Sequence, residues 1–229
     1  MTTSLSSTTA SASGRRLDLG STLTLRVSAI AFAAAYVVAM FLPTLPEGAY
    51  SDARVLALLE DPADRTRIIV GGYALVAAAI FLLVFTASLA ARIGREVRPT
   101  GLGMALPSAG VYAAILAAAA ALFSSIPMGV ALGELEAGTD PYLYRVLSNT
   151  GFHLMLVGGL GVASVLVASV SIALRRVESA PRWLPVTGFV VAPLLWLGFA
   201  WVPQFLLPLW AIAVAGGLDG RLGATHPEH

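Results

Sequence analysis

Five long stretches almost empty of ionisable side chains set the limits on this chain: Val27–Pro46, Ile68–Ala91, Pro99–Gly133, Val146–Leu174 and Trp183–Leu218. Within them only His153 carries a group that titrates near neutral pH. A bilayer core about 30 Å thick is crossed by about 20 apolar residues of helix. The expected fold class is therefore all-α, a polytopic transmembrane helix bundle over residues 25–218. A disordered cytoplasmic tail is expected at 1–24 and a short cytoplasmic tail at 219–229.

Six spans are expected. They are Val27–Leu45, Ile68–Ala91, Ala105–Ile126, Thr150–Leu174, Trp183–Ala200 and Gln204–Leu218. The last two come from dividing one 36-residue stretch, too long for a single crossing at 1.5 Å per residue. Pro203 and Pro208 offer the break. One span plus a re-entrant segment is the other way to use that length.

Arginine placement orients the spans. With a cytoplasmic N-terminus, Arg15, Arg16, Arg26, Arg92, Arg95, Arg98, Arg175, Arg176, Arg182 and Arg221 lie inside. Arg54, Arg65, Arg67 and Arg145 lie outside. Ten against four is the bias of cytoplasmic loops in a bacterial inner membrane. Arg15-Arg16 before an apolar run also fits a cleaved or twin-arginine signal. The run is long for a signal core, however, and ends at Pro43 and Pro46 without a clear small-residue cleavage site, which favours a retained span.

Composition removes several function classes. The chain is 57% hydrophobic and 12% charged, with a net charge of +1. No basic field points to nucleic acid. Cysteine is absent, which excludes disulfides, thiol catalysis and cysteine-ligated metal. No metalloprotease helix motif, nucleophile elbow, phosphate loop or intramembrane carboxylate pair is present. No metal site and no cofactor are expected. The lack of mid-span carboxylates argues against an ion-coupled pump.

Two Asp-Pro pairs punctuate the chain. Asp61-Pro62 precedes span 2 and Asp140-Pro141 precedes span 4, each a helix start with the carboxylate at the N-cap and proline at the first turn. Ser51–Glu60 and Met128–Glu136 read as short amphipathic pieces ahead of them, so spans 1–2 and 3–4 form two hairpins of one plan. Duplicated hairpins occur in transporters and also where packing alone is served. Small residues at four-residue spacing (Ala31, Ala35, Ala39; Gly110, Ala114, Ala118, with Ala113, Ala117, Ala121 on a neighbouring stripe; Gly158, Gly159, Gly161, Ser164, Ala168) are expected to bring helices together, within one bundle or between two copies. Trp183, Trp201, Tyr142 and Tyr144 are expected at the membrane interfaces.

Candidate binding residues come from depth. Tyr73, Ser124, Ser125, Asn149, His153 and Gln204 all fall in the outer third, with Arg67 and Arg145 above them. Together they would line a shallow outward-facing pocket. The plainer reading is that polar residues gather near the interface of any membrane protein. His153 is the one ionisable residue within a span, and such residues are functional candidates by default. Its place near the outer end, four residues from Asn149, also suits a simple hydrogen bond.

The layout adds a resemblance. A Ser/Thr tail leads to span 1, and Asp61-Pro62-Ala63-Asp64-Arg65-Thr66-Arg67 opens span 2. Arg175-Arg176 is followed by Pro181-Arg182-Trp183-Leu184-Pro185, and a short final hairpin carries Leu207-Pro208-Leu209-Trp210. From about residue 25 to 220 this resembles uncharacterised six-helix integral membrane proteins of high-GC bacteria, which implies the fold and no activity. The expected function is non-enzymatic: binding of a lipid, another apolar ligand or a membrane partner at the outer face. An uncoupled small-molecule permease is the alternative and an intramembrane enzyme using His153 a third. Expected partners are the bilayer and either a membrane protein or a second copy.

Overall fold

The computed structural model describes residues 19–43, 51–94, 102–136, 138, 140–178 and 180–218. The expected tails at 1–18 and 219–229, and the loop arginines Arg95 and Arg98, lie outside these residues. Among the described residues helix is the only regular secondary structure. The elements are α1 (Thr22–Phe41), α2 (Asp52–Glu60), α3 (Pro62–Ile93), α4 (Ala105–Ala131), α5 (Pro141–His153), a π-helical turn (Leu154–Gly159), α6 (Leu160–Leu174), α7 (Trp183–Leu195) and α8 (Leu206–Gly217). Four apolar rods are long enough to cross a membrane: α1, α3, α4 and the 34-residue rod from α5 through the π turn to α6. The other three helices, α2, α7 and α8, are shorter.

The local signals act as their chemistry requires. Asp61 Oδ1 accepts from the Ala63 N–H at 2.8 Å, and Asp140 Oδ1 from the Tyr142 N–H at 2.9 Å. Each caps a helix whose first residue is proline. The α1 helix starts at Thr22, within the stretch expected to be tail, because Ser21 Oγ caps it by accepting from the Thr24 N–H at 3.1 Å. The α7 helix ends at Leu195, two residues past Pro193, where proline removes one i→i−4 bond and crowds the preceding turn. Two short 3₁₀ turns, Gly198–Ala200 and Val202–Phe205, join it to α8. The helical parts of the last hairpin are thus 13 and 12 residues, shorter than the expected spans 5 and 6. Gln204 lies in the turn and not in a span.

The helices close a ring in chain order. The α1 helix packs on α3, α3 on α4, α4 on α6, α6 on α7, α7 on α8, and α8 back on α1. The main core runs down the middle and includes Phe32, Tyr36, Leu82, Phe85, Tyr112, Leu116, Leu160 and Trp210. A second, smaller core closes one end. There α2 lays Val55, Leu58 and Leu59 over Ile68, Ile126 and Tyr144, and an Arg145–Asp52 ion pair joins α5 to α2. Arg65 donates to the carbonyls of Leu59 and Glu60 at the C-terminus of α2. The opposite end, the base, is tied by Arg92. It donates to Thr22 Oγ1 at 2.7 Å and to the Leu218 carbonyl at 3.2 Å, drawing the ends of α1, α3 and α8 together.

Several expectations are corrected here. Met128–Glu136 is no separate helix, because α4 runs on through Pro127 to Ala131 and ends in a turn; the two hairpins therefore share their Asp-Pro starts but not a second cap helix. Tyr144 is 1% exposed beneath α2, not at an interface. On α4, Ala114 and Ala118 face outward, Gly110 meets nothing within 4 Å, and the inward face is Ala109, Tyr112, Ala113, Leu116 and Ala120. On α1 the fully buried face is Leu25, Ala29, Phe32, Tyr36 and Ala39. Small residues further along do pack: Gly159 lies against the Tyr112 ring, and Gly161 against Trp196.

Candidate functional site

The strongest candidate site is the tip of the α7–α8 hairpin, because it packs a part-exposed tryptophan against α5 and places a buried amide inside the bundle. Trp201 sits between the two 3₁₀ turns with φ +64° and ψ −55°. A bulky residue at positive φ is a backbone outlier, of order 1–3 kcal/mol in strain, that persists only where surroundings hold it. Three contacts hold this one. Its N–H donates to the Gly198 carbonyl at 2.9 Å. Its ring stacks on Phe152 at 5.4 Å and meets Phe205 edge-on at 6.3 Å. Phe205 in turn stacks on Phe41 and meets Tyr36 edge-on, so the tip is pinned to both α1 and α5.

The tip seats closely against the π turn. A Cβ on Gly198 would lie 2.2 Å from Leu160 Cδ1 and 3.2 Å from the Leu156 carbonyl oxygen, so any larger residue here would have to turn the Leu160 side chain aside. One turn earlier the Trp196 indole N–H donates to Ser164 Oγ at 3.1 Å. A π turn widens a helix locally and recurs at functional sites; here it lines the seat of the hairpin tip.

Gln204 points the other way, into the bundle centre. It is fully buried and its Oε1 accepts from the Tyr36 hydroxyl at 3.1 Å. Its Nε2 and the buried Tyr112 hydroxyl have no hydrogen-bond partner. The Tyr112 hydroxyl interacts with that of Tyr36 across the centre but falls outside hydrogen-bonding geometry. Two unpartnered polar atoms in a buried interior are costly, about 1–3 kcal/mol each.

Beside the tip lies an apolar crevice at the α2 end. Ala39, Met40, Pro43, Gly71, Phe123, Phe152 and Trp201 line it. Its free space is about 40 Å³, little more than a water or a methyl group needs.

The chain matches no family model, curated protein or solved structure.

The eight residues expected at an outer pocket do not share one hollow. Tyr73, Ser125, Asn149 and His153 are exposed, while Gln204 is fully buried. His153 meets the neighbouring Phe152 ring edge-on. Ser124 and Ser125 donate back to their own helix, to the Ala120 and Leu122 carbonyls, and Ser124 also abuts Gly72 of α3. Arg67 pairs with Asp64 at 2.8 Å on the surface of α3. Arg145 ties α5 to α2. Of the eight, Gln204 alone belongs to the interior site. Its partner Tyr36 and the facing Tyr112 were not singled out from sequence, although a tyrosine hydroxyl mid-span was the available signal.

Proposed function

We propose that this chain is a non-catalytic six-span protein of a bacterial inner membrane. Its N-terminus faces the cytoplasm, and it takes up an apolar chain, a lipid acyl tail, at its outer end. The observation that carries the reading is the crevice beside Trp201. Its lining is carbon-rich and offers no charged side chain for a polar ligand, and pockets select ligands by the groups they present. In its present state the crevice is nearly closed, so a tail enters as the strained Trp201 ring leaves Phe152. The hairpin tip lies level with Phe41 and Phe152 near the α2 end, which supports counting α7 and α8 as two short crossings. The arginine bias supports the orientation, with the α2 end outside.

The uncoupled permease is the second reading, favoured by one observation: the unpartnered Gln204 Nε2 and Tyr112 hydroxyl at the bundle centre. Native mass spectrometry of the gently extracted protein separates the two. The binding reading expects a retained lipid mass, more of it in Phe152→Ala, which opens the crevice, and less in Ala39→Leu, which fills it. Equal retention in the wild type and both variants, with solute flux from proteoliposomes that Gln204→Leu abolishes, would replace it with the permease.

A further inference from the structure

A separate hollow lies at the base, where α6 turns into α7. Leu174, Arg175, Glu178 and Arg182 form its mouth, and Val186 and Phe189 form a wall on α7. Arg182, Val186 and Phe189 recur at helical spacing, so they share one face of α7. That face is open: Arg175 and Arg182 are exposed, Val186 is 60% exposed and Phe189 39%. Below it, Trp183 is half-exposed at the same end. The hollow thus joins two guanidinium groups to an apolar strip that rises from the base into the span.

Charge distribution supplies the second argument. At the base the described residues carry Arg26, Arg92, Arg175, Arg176 and Arg182 against a single carboxylate, Glu178. At the α2 end, Asp52, Glu60, Asp61, Asp64, Glu134, Glu136 and Asp140 outnumber Arg54, Arg65, Arg67 and Arg145. Three of the four cap-end arginines are also engaged within the protein: Arg67 with Asp64, Arg145 with Asp52, and Arg65 with the α2 carbonyls. Among the described residues Arg175, Arg176 and Arg182 have no such protein partner, so their N–H groups are open to an external anion.

We propose that this hollow is a binding site for an anionic phospholipid of the leaflet at the base. Arg175 and Arg182 take the phosphate, and one acyl chain runs along Val186 and Phe189. Guanidinium groups suit phosphate because their paired N–H donors match two oxygens at once. Basic pockets at a membrane face favour anionic headgroups. An amphiphile with a phosphate at one end and a hydrocarbon chain at the other matches both parts of the hollow, whereas a free phosphate uses only the first. The site is independent of the outer crevice, and its test does not depend on that reading.

The test uses the full chain in nanodiscs of phosphatidylcholine doped with phosphatidylglycerol. Lipids retained after gentle release are counted by native mass spectrometry. The wild type is expected to retain phosphatidylglycerol at least about tenfold over its share of the disc. Arg175→Gln with Arg182→Gln is expected to lose most of that enrichment, at about 1 kcal/mol per arginine or roughly fivefold each. Arg67→Gln at the other end is expected to keep it, and a lysine pair at 175 and 182 to restore only part. Helical content by circular dichroism guards against misfolding, which these exposed positions do not threaten. No enrichment in the wild type, or equal enrichment in the glutamine pair, overturns the proposal. So does full displacement by millimolar glycerol phosphate, which would make the ligand a soluble anion.

Discussion

The seating of α7 on α6 can be tested at one atom. Gly188 faces Ser171 so closely that a Cβ on it would lie 1.8 Å from Ser171 Oγ, with Ser171 Cβ and Trp210 Nε1 each at 3.1 Å. Gly188→Ala therefore forces either Ser171 or the whole of α7 to move. Overpacking of this kind costs about 1–3 kcal/mol, and turning the Ser171 hydroxyl out of the way gives up its bond to the Val167 carbonyl. Ser171 Oγ donates only back along its own helix, to the Val167 carbonyl at 2.7 Å, so Ser171→Ala alone costs about 0.5–1 kcal/mol. In the double variant the serine oxygen is gone and the nearest atoms stand at 3.1 Å, a gap that a shift of a few tenths of an ångström relieves. The double is expected to be more stable than Gly188→Ala, with a coupling of about 2 kcal/mol, in the range of directly touching residues. Unfolding by SDS in mixed micelles, followed by far-UV circular dichroism and tryptophan fluorescence, gives the three free energies. Additive losses would refute the reasoning, since two helices that do not touch there cannot rescue one another.

Other perturbations follow from the same geometry. Gln204→Leu removes one hydrogen bond to Tyr36 and one unpartnered amide, terms of opposite sign, so SDS unfolding is expected to change by less than about 1 kcal/mol; a loss above about 2 kcal/mol would show that its amide is satisfied by a bound water. Arg92→Gln breaks the tie between α1, α3 and α8, and is expected to lower stability by about 1–2 kcal/mol, given its half-buried position. Trypsin or hydrogen exchange would then register faster opening at Thr22–Ser28 and at the end of α8. Asp61→Ala should cost about 1 kcal/mol through the lost cap, read as faster exchange in the first turn of α3.

What was legible in the sequence was chiefly local. The two Asp-Pro starts and the apolar lengths depend on backbone chemistry that the residues state outright, whereas the last stretch breaks earlier than Pro203, just past Pro193. The inward faces were not legible, because in lipid the outside of a helix is as apolar as its inside. Alanine at 114 and 118 therefore gave no sign that it faced outward, while Tyr112 just before them faced in. The candidate pocket failed for a related reason. Depth along a span can be counted from the chain, but rotation about its axis cannot, so Tyr73 and Gln204 shared a level without sharing a side. Tyr144 was misplaced because the partner that covers it, α2, lies 84 residues away. The hairpin tip needed a pairing across the ring, Tyr36 with Gln204, which no spacing rule joins.

The π turn at Leu154–Gly159 has a consequence for how this rod tolerates change in length. A π turn carries one residue more than the α-helical path it replaces, and each residue turns a helix by about 100°. Deleting a single residue there would return the rod to plain α-helix and swing all of α5 by about that angle relative to α6. Phe152 would leave Trp201, and Tyr144 would leave its place under α2. The same deletion in the middle of α6 would act on both halves of the rod at once. The extra residue thus works as a phase setter between two faces, one tuned to the cap and one to the hairpin, and it ties the identity of the fold to a count of residues as much as to their chemistry.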